Sequence, residues 1–392
     1  MHDFEDIRPY HDSEVRPVVD SLLGGLDLSK ALAKFRFPGL YRMFPAAVSH
    51  LFRSLLRREL KNVQTIHDVQ IIIEKYLDRL IETTTDGLTH DGLEKLSADK
   101  AYLFISNHRD ITMDPALVNY MLYHQGFRTV QIAIGDNLLK KPWLSDLMRL
   151  NKSFIVKRSL QGREKLKASR QLSAYIHHCV DNGENVWIAQ REGRAKDGID
   201  KTEAAIIKML HMADREPTRA LPLFESINSL NIVPVAISYE FDPCDQAKAM
   251  ELHAIDNYGK FVKDENSDVQ SILNGMIGNK GAVHVAFGKP VQVEAAATAE
   301  GIAMRIDEQV IVNYRLHCVN YLAMQMQSGS VNYAGLASKL GFSEAQVAHK
   351  HAELEKRLEA MPAQLRPYIL SMYANPVIRQ QEVLDDQHQY AQ

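Results

Sequence analysis

Between residues 100 and 287, short apolar runs alternate with helical patterns, and this alternation constrains the fold more than any other feature of the chain. The runs are 101–106, 130–134, 153–156, 185–189, 232–238 and 283–287. Each is too short for a self-standing helix and reads as a buried strand. Between them, 162–182 is a long helix ended by Gly183. Asp114-Pro115 starts another, with Asp114 expected at the N-cap and Pro115 in the first turn. Strand–helix alternation of this kind implies an α/β sheet with helices on its faces. The segment Ile232–Ser238 is the most strand-like, and Pro234 inside it suggests an edge or interrupted strand.

The flanks differ. Residues 1–95 read as a helical N-terminal region, 96–294 as the α/β domain, and 295–392 as a helical extension with a break at Ser328-Gly329-Ser330. The polar tail, residues 385–392, is expected to fray. Residues 30–61 carry eight Lys and Arg against the single acid Glu59. The whole chain has 46 Lys and Arg against 49 Asp and Glu, a net charge of −3, so this basic patch is local. Within it Val48, Leu51, Phe52, Leu55 and Leu56 follow the spacing of an amphipathic helix, flanked by Arg53, Arg57 and Arg58. A basic helix with an apolar stripe suits an anionic membrane surface. The same stripe would serve equally to cover the α/β domain.

Composition excludes several classes. With 45% hydrophobic and 24% charged residues the chain is neither disordered nor disulfide-stapled. No global positive field draws it to nucleic acid. Cys179, Cys244 and Cys318 form no CxxC and read as reduced thiols. The acidic N-terminus lacks the apolar core of a secretory signal, and no run of about 18 apolar residues suggests a spanning helix. The expected location is the cytoplasm, peripheral on the inner face of the cell membrane.

Chemistry concentrates where runs end. Ser106–Pro115 follows the first run and contains His108 with two nearby carboxylates, Asp110 and Asp114. A carboxylate beside an imidazole fixes its tautomer and stabilises the imidazolium, as a general base requires. Either carboxylate is within reach, and Pro115 favours Asp114 by placing it at a helix start. Lys157 and Arg158 close the third run, where cations reach an anionic ligand. Gln190–Gly198 follows the fourth run with two glycines and three cations, a loop suited to wrapping a phosphate. Solvated loops and strand ends would explain each of these segments taken singly. His177-His178-Cys179 sits inside a helix, where adjacent residues diverge, and reads as packing. The chain has no G-x-S-x-G elbow, P-loop or G-x-G-x-x-G.

The order of these segments resembles the glycerolipid acyltransferase superfamily, the PlsC-like proteins. Those carry an N-H-x-x-x-x-D block, a block ending F-I-x-R, an E-G-x-R-type block and an apolar V-P-V block. Here the blocks correspond to Asn107–Asp114, Phe154–Arg158, Glu192-Gly193-Arg194 and Ile232–Val235, within about residues 95–240. Two departures stand out: five residues rather than four separate His108 from Asp114, and Arg194 follows Gly193 directly. The resemblance implies a mixed sheet flanked by helices. It implies transfer of a fatty acyl group from acyl-CoA or acyl carrier protein to a hydroxyl of glycerol 3-phosphate or a lysophospholipid such as lysophosphatidate, in phospholipid biosynthesis. It implies His108 as base and Asp114 as its partner. Asn107, Arg109, Lys157, Arg158, Glu192, Gly193 and Arg194 would surround the substrate. No cofactor or metal is expected beyond the acyl donor. Acylation of an amino-acid-derived lipid, or a catalytically silent lipid-binding protein on the same fold, would use the same scaffold.

Overall fold

The computed structural model describes residues 4–215, 220–264 and 267–390. The chain forms two compact units, Met1–Leu77 with Val130–Tyr175, and Asp78–Thr129 with Ile176–Gln392.

The second unit is built on five strands: β1 (Leu88–Asp91), β2 (Leu103–Ser106), β5 (Val186–Ala189), β6 (Ile232–Tyr239) and β7 (Val283–Phe287). Their order is β1-β7-β6-β2-β5. β6 and β7 are antiparallel, whereas the β1/β7, β2/β6 and β2/β5 pairs are parallel. All eight residues of β6 are buried, which is why it reads as one continuous apolar run. The mixed sheet agrees with the expected class, and four of these strands fall within two residues of their expected bounds. β1 was not anticipated: Leu-Thr-His-Asp at an edge has little apolar signal.

Pro234 is not on an edge strand. It lies in β6 between β2 and β7, in register with Ile105. Its carbonyl accepts from the Gly288 N–H at 2.8 Å, one residue beyond the last registered pair, Val235 and Phe287. The N–H that proline lacks is therefore missing at the end of the antiparallel ladder, where the cost is least.

Helices cover this sheet. The helix Ala299–Asn313 packs on β6. Further on, Val319, Leu322, Val347, Leu354, Ile369 and Val377 share a second core. The expected break near Ser328 is present, with Gly329 at φ 86°. The tail departs from expectation over residues 385–390, because the helix Arg366–Tyr390 runs through them, and residues 391–392 lie outside the described residues.

The first unit contains the parallel pair β3 (Gln131–Gly135) and β4 (Ser153–Val156). Its helical core holds Val15, Val19, Leu22, Val63 and Val69. The expected amphipathic helix is present as Pro45–Glu59, but its stripe divides. Val48 is buried and Leu56 packs on the core, whereas Leu51 and Leu55 are 56% and 51% exposed. Arg53 is drawn inward. It donates to the carbonyls of Leu23 and Gly24 at 2.7 Å each, capping the C-terminal end of the helix Asp12–Gly24.

Parallel pairing brings the carboxyl ends of β2, β5 and β6 to one edge of the sheet, the edge where open α/β sheets place ligands. The loop leaving β5 is fixed there by a close approach. Gly198 has φ 81°, and a Cβ on it would meet the Met372 carbonyl oxygen at 2.1 Å. Gly198→Ala should lower stability by about 2–3 kcal/mol, seen as a lower urea midpoint with an unchanged m-value.

Candidate active site

The site forms where β2 ends. β2 delivers Asn107 and His108 into a tight turn, and the helix Met113–His124 follows. The expected cap is displaced: Asp114 is the second residue of this helix, and Asp110 does the capping. Its Oδ1 accepts from the N–H groups of Thr112 and Met113 at 2.9 and 2.8 Å. Asp114 is thereby free to turn its carboxylate back into the turn. Its Oδ2 lies 2.9 Å from His108 Nδ1 and accepts from the N–H groups of Arg109 and Asp110 at 2.7 and 2.9 Å. Its Oδ1 accepts from the Tyr239 hydroxyl at 2.8 Å.

Asp114 is fully buried, and the His108 side chain is 15% exposed. An ionised carboxylate only accepts, so Nδ1 carries the proton and Nε2 presents its lone pair. Tyr239 stays a donor, since burial and the neighbouring Asp114 raise its hydroxyl well above the ordinary value. Trp187 of β5 lies edge-on to the imidazole, 6.0 Å between centroids, and donates to Ser106 Oγ at 3.1 Å.

The loop after β5 is joined to this turn, because the Ala195 N–H donates to the His108 carbonyl at 2.8 Å. Glu192 and Gly193 are exposed, with Gly193 at φ 78°. Arg194 donates to Ser271 Oγ at 3.2 Å and has a second nitrogen, Nη1, buried without a protein partner. Lys196 is engaged by Glu251 at 3.0 Å.

Two first-block residues face inward and are braced by protein partners. Asn107 is fully buried. Its amide exchanges hydrogen bonds with the N–H and carbonyl of Ile237, at 2.8 and 3.0 Å, and reaches Asp200 at 3.2 Å. Arg109 is 5% exposed, pairs with Asp200 at 2.7 Å and lies over the Tyr314 ring. Burial works against its charge, but Asp200, Tyr314 and Asp242 together hold it above its ordinary value.

Lys157 and Arg158 belong to the first unit, at the end of β4. Lys157 pairs with Asp6, which also accepts from Gln171 at 2.8 Å. The Arg158 N–H donates to Asp136 at 3.1 Å, and its side chain lies along Gly135. Sequence reasoning missed Tyr239, Trp187 and Asp200. Tyr239 directly follows the run 232–238 and Trp187 lies in the run before the third block, but nothing local announces their partners.

Among the described residues, no group of three or more His, Cys, Asp or Glu is arranged to hold a metal ion. Burial, then Asp242, pushes the Cys244 thiol up to about 12, so it offers no thiolate.

Residues 87–238 match the family model described as Acyltransferase. Over this segment the chain is similar to acyltransferase domains. Three relatives carry the name glycerol-3-phosphate acyltransferase. That of Haemophilus ducreyi is 23% identical over 303 residues, spanning 76% of this chain and 35% of the relative. Those of Pseudoalteromonas atlantica and Shewanella woodyi are 24% and 25% identical, over 76% and 78% of this chain and 38% of each relative. The chain thus spans well under half the length of these curated relatives. A solved 1-acyl-sn-glycerophosphate acyltransferase, PlsC from Thermotoga maritima, aligns over 72% of this chain and 92% of its own, at 17% identity and a TM-score of 0.38.

The two carboxylates should separate experimentally. Asp114→Asn places an amide where donors converge and should cost about 2–3 kcal/mol of stability. Asp110 has an Oδ2 buried without a partner, and burial, then Asp114, raises it above the ordinary 3.8. A raised folded-state value means that ionisation opposes folding as pH rises through it. Asp110→Asn keeps the cap and should raise the melting temperature at neutral pH. That gain should vanish as pH falls below the ordinary Asp value.

Proposed function

We propose that the chain transfers a fatty acyl group from a thioester, acyl-CoA or acyl carrier protein, to a hydroxyl of glycerol 3-phosphate or of a lysophospholipid such as lysophosphatidate, in phospholipid biosynthesis. The observation that carries this reading is the fixed pair of His108 and buried Asp114 at the carboxyl ends of β2, β5 and β6. The acyltransferase match over the same residues and the names of the relatives support it.

In this mechanism His108 Nε2 removes the acceptor hydroxyl proton as its oxygen attacks the thioester carbonyl. Asp114 holds the ring and stabilises the imidazolium. The tetrahedral intermediate collapses by breaking the carbon–sulfur bond. The imidazolium then returns its proton to the departing thiolate. No covalent acyl-enzyme is needed, and the protonated Cys244 thiol fits that direct course. Arg194, with its unpartnered Nη1 beside the exposed Glu192-Gly193 turn, would hold the acceptor phosphate.

His108→Ala should lower kcat on the order of 10²–10⁴-fold while the fold survives. Activity should fall on the acid side of the pH profile as the imidazole protonates. Arg194→Ala should raise KM for a phosphorylated acceptor more than for the acyl donor. Products from labelled acyl-CoA and acyl carrier protein, read by mass spectrometry over a panel of acceptors, would test the assignment. Binding of acyl donors without turnover would favour the silent lipid-binding alternative.

The same reading includes a peripheral anionic membrane surface as partner. Met43, Phe44, Leu51 and Leu55 of the first unit are between 51% and 69% exposed, amid the basic segment 30–61. Apolar side chains ringed by cations suit an anionic interface, each cation contributing about 1 kcal/mol. No helix among the described residues is long and apolar enough to cross a membrane. Vesicles containing phosphatidylglycerol should pellet the protein at low salt. Leu51→Ser with Leu55→Ser, or Arg57→Gln with Arg58→Gln, should weaken pelleting without moving the melting temperature. Equal pelleting of all variants would exclude this surface as the anchor.

A further inference from the structure

The carboxylate of Asp114 is held by two consecutive peptides, and each peptide is itself held from behind. The first joins His108 to Arg109: its N–H donates to Asp114 Oδ2 and its carbonyl accepts from Ala195. The second joins Arg109 to Asp110: its N–H donates to the same Oδ2. Its carbonyl accepts from the ammonium of Lys248 at 2.7 Å. Lys248 lies on the helix Asp245–Tyr258, outside the matched segment 87–238. It is 2% exposed.

A lysine buried this deeply is rare and needs a partner. The partner is Asp242, which pairs with the ammonium. Burial opposes the charge on Asp242, but Lys248, with the Cys244 N–H and Arg109, holds it below the ordinary carboxylate value. The C-terminal helices fix Asp242 in turn. Its N–H donates to the Tyr373 hydroxyl at 2.9 Å, and its carbonyl accepts from Arg357 at 2.6 Å. Tyr373 and Arg357 both also reach Asp245, at 2.8 and 2.5 Å.

We propose that Lys248 is a positioning residue for His108, acting through the Arg109–Asp110 peptide and Asp114. Its ammonium polarises the Arg109 carbonyl, which strengthens donation from the Asp110 N–H on the same peptide. That N–H fixes Asp114 Oδ2 and withdraws negative charge from it, and Oδ2 is the atom that holds His108 Nδ1. Hydrogen bonds in series reinforce one another in a buried setting. The C-terminal helices thereby reach the imidazole without touching it.

The proposal rests on the acyltransferase reading for its kinetic test and stands apart from it in its spectroscopic test. Three full-length variants are compared: Lys248→Met, Asp242→Asn, and the two together. The double change removes the buried pair as a unit, so no orphaned charge is left to unfold the chain. The other charged groups facing the turn, Arg109, Asp110, Arg194 and Asp200, are unchanged in all three. The His108 imidazole is titrated by carbon NMR and assigned by difference against His108→Gln.

With the relay lost, Asp114 keeps more negative charge, and the His108 midpoint should move upward in both Lys248→Met and the double variant. The acid limb of the pH profile should move with it. Because the ring is less firmly held, kcat should fall about tenfold or more, with KM for donor and acceptor within about twofold. The double variant should regain the melting temperature lost by Lys248→Met but not the kcat. A double variant with wild-type kcat and a wild-type His108 midpoint would overturn the proposal and reduce Lys248 to a counter-ion for Asp242. If the wild type transfers no acyl group to any acceptor, the functional reading fails, and the His108 midpoint alone then decides the relay.

Discussion

A carboxylate with no exposed surface must be surrounded by donors, and much of the second unit is arranged to supply them to Asp114. Four converge on it: the imidazole of His108, the N–H groups of Arg109 and Asp110, and the hydroxyl of Tyr239. They arise from the turn after β2 and from the end of β6. Leaving such a group unpaired would cost several kcal/mol. The turn, the helix start and the β6 terminus are therefore mutually constrained. The extra residue between His108 and Asp114 fits this constraint. Asp110 caps the helix, and the turn still closes on Asp114.

A second set of buried polar groups braces the turn from below. Asn107, Arg109 and Asp200 bond to one another and to the backbone of Ile237 and Gly198. A general base works only while its ring stays in one orientation, because a small displacement of the reacting atoms is costly. Rigidity is accordingly placed around His108, and Arg194, on the neighbouring loop, keeps one buried nitrogen without a protein partner.

The first unit follows a different logic. Leu56 packs on its helical core and Val48 is buried, yet Met43, Phe44, Leu51 and Leu55 are left exposed. These exposed apolar side chains are what the proposed membrane contact rests on. The surrounding positive charge, set within a slightly acidic chain, gives that surface its electrostatic character.

Much of the fold was legible in the sequence because buried strands and amphipathic helices write their periodicity locally. β4 and β7 lie where their apolar runs predict, and β2, β5 and β6 differ by no more than two residues. β1 was illegible because an edge strand buries too little to need an apolar pattern. Pro234 misled because an edge and the last rung of an interior ladder remove the same N–H from pairing. The sequence determined that His108, a nearby carboxylate and a glycine-bearing cationic loop each follow a strand. Only the tertiary structure decided that Asp114 takes the imidazole while Asp110 caps. Only it turned Asn107, Arg109 and Arg53 inward and brought Tyr239 and Lys248 to the turn. Those outcomes depend on which donors converge on a buried charge, and the donors come from residues more than a hundred positions apart.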